Sequence, residues 1–199
     1  VSAAKGYRSG GINTPLTSAC SDSLISVGLP AGADGQAHVP AGYSSDSLWS
    51  YEIGAKNTLL NGTLQINSSM FVIDWKNIQQ SVYLAGCGEQ FAANLGSVRS
   101  EGGDVDIVYK PLQPLTLGLT VAYTDAYYAR ASCAGTLEFN GSICAGPKGS
   151  APPIVSEGDR LLGAPWTVLA SGEYAAPFGA LGGRTGYVRF DYQRTTAQT

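Results

Sequence analysis

The chain has 199 residues, of which 44% are hydrophobic and only 14% are charged, with a net charge of −3, 26 glycines and 11 tyrosines. This composition excludes an acidic disordered chain, which would hold fewer apolar residues, and a helical bundle, which would hold fewer strand-forming and turn-forming residues. Because the lysines and arginines are spread along the chain rather than clustered, nucleic acid is not expected as a partner.

The first half of the chain alternates apolar and polar residues with a period of two, which is the period of a β-strand. A first strand is predicted to end near Arg8, a second to cover residues 49–59, and a long third one to run from 63 to about 83. On the second strand, Trp49, Tyr51, Ile53, Ala55 and Leu59 alternate with Ser50, Glu52, Gly54, Lys56 and Thr58. One face of each strand is therefore apolar and the other is polar.

The second half repeats this pattern in four further segments, near residues 104–110, 115–125, 166–174 and 187–193. In the clearest of them, Leu115, Leu117, Leu119, Val121 and Tyr123 alternate with Thr116, Gly118, Thr120, Ala122 and Thr124. The total is about seven strands. On their polar faces the predicted charged residues are Glu52, Lys56, Asp104, Asp106, Lys110, Glu173, Arg189 and Asp191.

The links between these strands alternate in length. Tight turns are predicted at Asn61-Gly62, at 111–114 and at 177–183, whereas long loops are predicted at 13–47, 85–95 and 131–165. Short turns at one end and long loops at the other are typical of an outer-membrane β-barrel, in which the loops face the outside. The long loops are the expected place of ligand contact.

Aromatic residues are expected to collect at both ends of the apolar band of such a barrel. Those predicted at the long-loop end are Trp49, Tyr51, Tyr123, Trp166, Phe190 and Tyr192, while Tyr109 and Tyr174 are predicted at the short-turn end. The predicted fold class is thus all-β, an antiparallel transmembrane β-barrel segment. A soluble or surface-exposed β-sandwich, for example an adhesin-like binding module, is the alternative, since its strands also alternate and the mean hydropathy is neutral.

The four cysteines, Cys20, Cys87, Cys133 and Cys144, lie in segments rich in glycine, serine and alanine. Their spacing does not fit a zinc site and fits disulfides in an oxidising compartment better. Cys133 and Cys144 fall in one loop and are the preferred pair. The only histidine, His38, has no cysteine or carboxylate partners at metal-ligand spacing and no nucleophile elbow accompanies it, so we predict neither a metal, a cofactor nor an enzyme active site.

Several spaced motifs follow one another along the chain. The run LWSYEIGAKNTLLNGTLQINSSMFVIDWKNIQQSVY, residues 48–83, is similar to the "S-Y-E-x-G-x-K" strand of the TonB-dependent receptor barrel, followed by a turn and "F-x-x-D-[WY]-x-x-[IL]-Q". NLGSVRSEGGDVDIVYKP resembles the strand that follows, GYRSGGIN the strand end that precedes, and VAYTDAYY completes the series. One departure is Gly102-Gly103-Asp104, where the family has a glycine, one residue and a glutamate.

The resemblance implies a bacterial outer-membrane receptor that takes up a scarce nutrient, such as a ferric siderophore, cobalamin or a glycan, when TonB acts on a plug domain. Its partners would be the TonB complex, outer-membrane lipid and the nutrient. Residues 1–199 are expected to be one partial domain from the C-terminal part of a barrel of about 22 strands. The plug, the TonB box and the strands that close the barrel are expected to lie outside these residues, because seven strands do not close a barrel.

Overall fold

The computed structural model describes residues 1–134, 138–145, 152–161, 163–178 and 184–197. The predicted turn at 177–183 and parts of the predicted loop at 131–165 lie outside these residues. The described residues contain one short α-helix, α1 (Ser21–Ser26). The strands are β1 (Ser2–Arg8), β2 (Gly11–Ile12), β3 (Gly42–Tyr43), β4 (Asp46–Leu59), β5 (Leu64–Lys76), β6 (Gln79–Leu84), β7 (Glu89–Asn94), β8 (Ser97–Leu112), β9 (Leu115–Tyr128), β10 (Glu138–Asn140), β11 (Ile143–Ala145), β12 (Trp166–Phe178) and β13 (Arg184–Thr195).

The long strands form one seven-stranded sheet in the order β1-β4-β5-β8-β9-β12-β13. Each long strand pairs with the next long strand along the chain, and every pair is antiparallel. The sheet does not close on itself, and β1 and β13 each keep one free edge. The predicted antiparallel β-barrel segment is confirmed in this form. Among the described residues, no helix is long and apolar enough to cross a membrane.

The strand register sorts the side chains onto two faces, because residues directly opposite each other in a pair point to the same side. Ile107 pairs with Ile66 and Leu119, and Leu119 pairs with Ala170, which defines what we call the apolar face. Asp106 pairs with Asn67 and Thr120 and defines the polar face. The charged set predicted from alternation falls together on this polar face: Glu52, Lys56, Asp104, Asp106, Lys110, Glu173, Arg189 and Asp191.

The apolar face is uncovered. Ile53 is 58% exposed, Met70 70% and Phe190 65%, although all three are large apolar side chains. A β-sandwich would need a second sheet over this face, yet beside the main sheet the described ranges contain only the two-stranded sheets β2–β3, β6–β7 and β10–β11. The β-sandwich alternative is therefore not the fold of this chain.

The predicted long strand over residues 63–83 is wrong beyond Lys76. Asn77 adopts a left-handed conformation with φ of 62°, which asparagine tolerates better than most residues, and its carbonyl accepts a hydrogen bond of 2.7 Å from the Asn94 amide. The chain then turns into β6, which pairs with β7 in a separate hairpin. The predicted loop over 85–95 is wrong for the same reason, because Glu89–Asn94 is a strand and only 85–88 turn.

The aromatic residues follow the prediction with one correction. Trp166 lies opposite Tyr123 at the long-loop end, with ring centroids 4.7 Å apart, and Tyr174 lies at the other end of β12. Phe190 pairs with Gly172, in the middle of β12, and Tyr192 pairs with Ala170. Both lie nearer the centre of the sheet than predicted, because β13 continues to Thr195 and the loop end is farther away.

Gly102 brings the backbones of the central strands close together. A Cβ atom on Gly102 would lie 2.2 Å from the carbonyl oxygen of Tyr123 and 2.9 Å from the Phe71 ring. Phe71 pairs with Gly102 on the polar face, so its ring covers the glycine. No side chain larger than hydrogen fits at Gly102 without movement of the backbone.

We therefore predict that Gly102→Ala lowers the free energy of unfolding by about 1–3 kcal/mol, the cost of overpacking. The matched control is Gly172→Ala in the same sheet, where the nearest atom to the new Cβ is a Leu117 methyl carbon at 3.6 Å. The measurement is the urea unfolding of the full-length protein in lipid vesicles. Equal stability of the two variants would contradict the close approach at Gly102.

Candidate functional site

Most of the buried core lies at the loop end of the sheet, where the connecting segments pack on one another. We call the segments 13–45, 77–96 and 128–134 the loop cap. Its fully buried side chains include Leu24 of α1, Ile78 and Leu84. Around them the core also contains Leu29, Val82, Phe91, Ala93, Leu95, Val98, Tyr128 and Ala134. The predicted ligand-contact loops thus form a packed unit.

Two disulfides hold the loops in the structure. Cys20 at the start of α1 is bonded to Cys87 in the β6–β7 turn, with Cα atoms 5.3 Å apart. Cys133 is bonded to Cys144, the preferred pair from the sequence, with Cα atoms 5.7 Å apart. The first bond joins the 13–45 segment to the β6–β7 hairpin, and the second closes a short loop after β9. Their formation in the cell stays a prediction.

Three side-chain amides tie the loop cap together. The Asn13 amide donates to the carbonyls of Pro40 at 3.0 Å and Ala92 at 2.9 Å, and its oxygen accepts the Ala92 N–H. Gln79 donates to the carbonyls of Ser9 and Ser44, and Asn94 also donates to Ser44. These bonds satisfy backbone groups that irregular loops would otherwise leave unpaired. The cap is therefore a rigid platform.

An ion pair anchors the loop cap to the sheet. The Asp46 side chain is only 1% exposed, and it receives the Arg8 guanidinium, with Nε 3.0 Å from Oδ2, together with the Gln79 N–H at 3.1 Å. The same guanidinium lies over the Trp75 ring, 4.9 Å from its centroid. Three hydrogen-bond donors and an aromatic face thus hold a buried carboxylate at the junction of β1, β4 and β6.

We predict that Arg8→Met destabilises the junction by about 2 kcal/mol, because the carboxylate of Asp46 stays buried while its charged partner is lost. The value lies below that of a fully buried pair, since half of the Arg8 side chain is exposed. Arg184→Met, at the exposed start of β13, is the control. Both variants of the full-length protein would be compared by urea unfolding. The account of this junction would be contradicted by a neutral Arg8→Met.

The second long loop folds back onto the end of β9. Arg160 forms an ion pair with Asp125 at 3.2 Å, and the backbone bridges between Tyr127 and Arg160 and between Ser132 and Val155 join the loop to the strand end. The part of this loop from Val155 to Arg160 therefore lies against the end of β9.

His38 lies on the surface of the 13–45 segment. Its Nε2 is 2.8 Å from Oδ2 of Asp34, and both side chains are exposed. The pKa of Asp34 is lowered, first by the hydrogen bond from the Gln36 N–H and second by that from His38. Within the described part of the chain no three histidine, cysteine or carboxylate side chains converge to hold a metal ion.

Several charged side chains of the polar face have side-chain partners within the sheet. The Ser69 hydroxyl donates to Asp104, and the Thr120 hydroxyl donates to Asp106 at 2.9 Å. Arg189 contacts Asp191 at 2.8 Å and Glu173 at 3.8 Å. A wall of mixed charges with short side-chain bonds suits a hydrated interior.

One feature of the site was not predicted. At the loop end, the apolar face becomes charged, where Arg99 lies 3.4 Å from Asp74 and 3.1 Å from Glu101. These positions continue the odd-numbered phase of Gly103 and Val105 along β8, and Asp125 pairs with Glu101. The change from apolar to charged side chains on one face of β8 was visible in the sequence. It marks the level at which the apolar band ends.

A protein-family model described as TonB dependent receptor-like, beta-barrel, matches residues 1–199. No curated protein matches the chain significantly.

Proposed function

The chain belongs to the TonB-dependent receptor-like β-barrel family, and on that premise we propose that it forms part of the wall and the outer surface of a receptor for energy-coupled uptake of a scarce nutrient. Family membership supports a receptor or transporter of the bacterial outer membrane at this coarse level. The observation that carries the finer proposal is a sheet with one apolar and one polar face, closed at one end by a rigid loop cap.

In this proposal the apolar face contacts lipid and the polar face lines the interior of the barrel. Uncovered side chains such as Met70 and Phe190 then lie against acyl chains rather than water. The free edges of β1 and β13 pair with further strands of the same barrel, because unpaired backbone groups are costly in lipid. Residues 1–199 are thus one part of a larger barrel domain.

Coupling to TonB would pass through a plug domain inside the barrel. The polar face offers such a domain paired charges, for example Arg189 with Glu173 and Asp191, and hydroxyls bonded to carboxylates. These groups can form hydrogen bonds with a polar partner while each charged side chain keeps a partner of its own. The plug and the TonB complex are therefore the proposed partners on this side.

The nutrient is proposed to contact the loop cap. The segments 13–45 and 77–96 contain Asp22, Asp34 and Glu89 but neither lysine nor arginine, and the third segment, 128–134, contains one arginine, Arg130. A strongly anionic ligand needs a cluster of cationic donors, which these segments lack. Amide and hydroxyl groups on a rigid platform instead favour a neutral ligand, so a glycan or cobalamin suits the cap better than an anionic ferric siderophore.

The test is uptake by cells that express the full-length protein in an outer membrane lacking their own receptors. Radiolabelled oligosaccharide, cobalamin and ferric siderophore would be offered in strains with and without TonB. We expect TonB-dependent uptake of a neutral nutrient. Recovery of the protein from the aqueous phase without detergent, or uptake that is equal without TonB, would contradict the proposal.

A further inference from the structure

The apolar face carries a groove of about 780 Å³. Its floor consists of small residues on three neighbouring strands, Ala55, Ser68 and Gly103, and larger side chains such as Ile53, Met70 and Tyr123 line it. Gly103 pairs with Met70 and Tyr123, and a Cβ atom there would lie 2.7 Å from the Ser69 carbonyl oxygen. The depression is thus built into the backbone of the sheet.

A polar cleft of about 760 Å³ lies above this groove toward the loop cap. It is lined by Lys76, Arg130 and Ser97. Lys76 pairs with Ser97 and points to the same side of β5 as Met70 and Val72. The cleft therefore opens beside the apolar face. Its carboxylates have partners: Asp46 is bound by Arg8, and Asp74 by Arg99, which also contacts Glu101 in the groove.

Lys76 and Arg130 are the uncompensated charges of the cleft. Both are exposed, and neither forms an ion pair with a residue that the structure describes. Two free cations beside carboxylates that are already paired give the cleft an affinity for an anion. Phosphate suits such a site, because it accepts several charge-assisted hydrogen bonds at once.

The groove and the cleft lie in line along the strands. From Val72 in the groove to Lys76 in the cleft the strand rises roughly 13 Å. The pair Tyr123 and Trp166 borders the groove, as aromatic side chains do at the edge of the hydrocarbon layer. The aromatic pair lies level with Gly103, and the Asp74–Arg99–Glu101 group lies between this level and the cleft. The cleft thus lies on the headgroup side of the groove, and the groove lies on the acyl-chain side.

We propose that this face binds one phosphate-bearing lipid of the outer leaflet, with its phosphate in the Lys76–Arg130 cleft and an acyl chain in the groove over Gly103. A folded protein partner would have to cover the flat apolar rows beside the groove as well, whereas a single chain needs only the groove. The inference rests on the outer-membrane location and is independent of the nutrient.

The experiment measures binding of bis-phosphorylated lipid A to the purified full-length receptor in a neutral detergent, with dephosphorylated lipid A and inorganic phosphate as further probes. Lys76→Gln combined with Arg130→Gln removes both cations and is expected to weaken lipid A binding roughly thirtyfold. Ala55→Leu fills the groove floor and is expected to weaken it about tenfold. Lys110→Gln on the polar face and Ala170→Leu elsewhere on the apolar face are the matched controls and should change it less than about twofold.

Preferential binding of phosphorylated lipid A, lost in both test variants and kept in both controls, would support the proposal. Equal binding of dephosphorylated lipid A would overturn it. The proposal would also be overturned if inorganic phosphate saturated the cleft while Ala55→Leu left lipid A binding unchanged. A co-purified protein that covers the groove and excludes lipid would overturn it as well. Because the readout is lipid binding, its failure is distinct from a failure of nutrient uptake.

Discussion

Leu119→Arg is expected to lower the free energy of unfolding in a lipid bilayer by about 2–4 kcal/mol, the cost of a cation near the bilayer midplane on the lipid side of a barrel. Leu119 lies near the middle of β9 on the apolar face, between Ile107 and Ala170. No carboxylate is in register with it on the neighbouring strands, so the arginine would have no partner to offset its desolvation.

The adjacent residue provides the control at the same depth. Thr120→Arg places the same cation on the polar face beside Asp106, which already accepts a hydrogen bond from the threonine. We expect a change of less than about 1 kcal/mol, because the lost hydroxyl bond is replaced by an ion pair in a hydrated lining. Urea unfolding of both full-length variants in vesicles gives the comparison, and equal losses would mean that the two faces do not differ in solvent.

Replacement of Cys20 and Cys87 by alanine is expected to release the loop cap and to lower the free energy of global unfolding by about 4 kcal/mol. The two cysteines are separated by 67 positions, and a disulfide that closes a loop of this size removes more entropy from the unfolded chain than one that closes a short loop. Because Cys20 is fully buried beside Leu24, the loss of its packing adds to the effect. The sheet itself should persist.

Amide hydrogen exchange of the full-length protein is the measurement. We expect faster exchange in 13–45 and 77–96, with β8 and β9 unchanged. The matched control is Cys133→Ala with Cys144→Ala, which opens a loop with a separation of only 11 and should leave those two segments protected. Detection of free thiols at Cys20 and Cys87 in the native protein would contradict the pairing itself.

The sheet was predictable because apolar and polar residues alternate strictly along strands that have one face toward water and the other face away from it. β9 shows this best, since Leu115 to Tyr123 keep one phase without interruption, and the same phase fixes the face of Asp104 and Asp106 on β8. The assignment of the charged residues to one wall followed from this periodicity alone, with no knowledge of strand order.

The loop cap was not predictable at the same level. β7 was predicted as part of a loop. Most of β6 was predicted as a continuation of β5, because only the left-handed Asn77 and its bond from Asn94 break the strand. That bond joins positions 17 apart and carries no periodic signal. The Cys20–Cys87 pair depends on the same hairpin, and for this reason only Cys133 and Cys144, in one loop, stood out as a pair.

The groove of the apolar face depends on which residues become neighbours across strands. Ala55, Ser68 and Val105 come into register only once three strands are paired, and a shift of one residue would move them to the other face. The two glycines at 102 and 103 were visible in the sequence, but their consequence, a groove over Gly103, required the register.

Accessibility along β9 tests the central claim most directly. Spin labels placed singly at positions 116 to 121 of the full-length receptor in outer-membrane vesicles would be probed with oxygen, which concentrates in lipid, and with a water-soluble nickel complex. We expect oxygen to dominate at Leu117, Leu119 and Val121, and the nickel complex to dominate at Thr116, Gly118 and Thr120. Access of the nickel complex to all six positions, or the inverse alternation, would contradict a barrel wall between lipid and water.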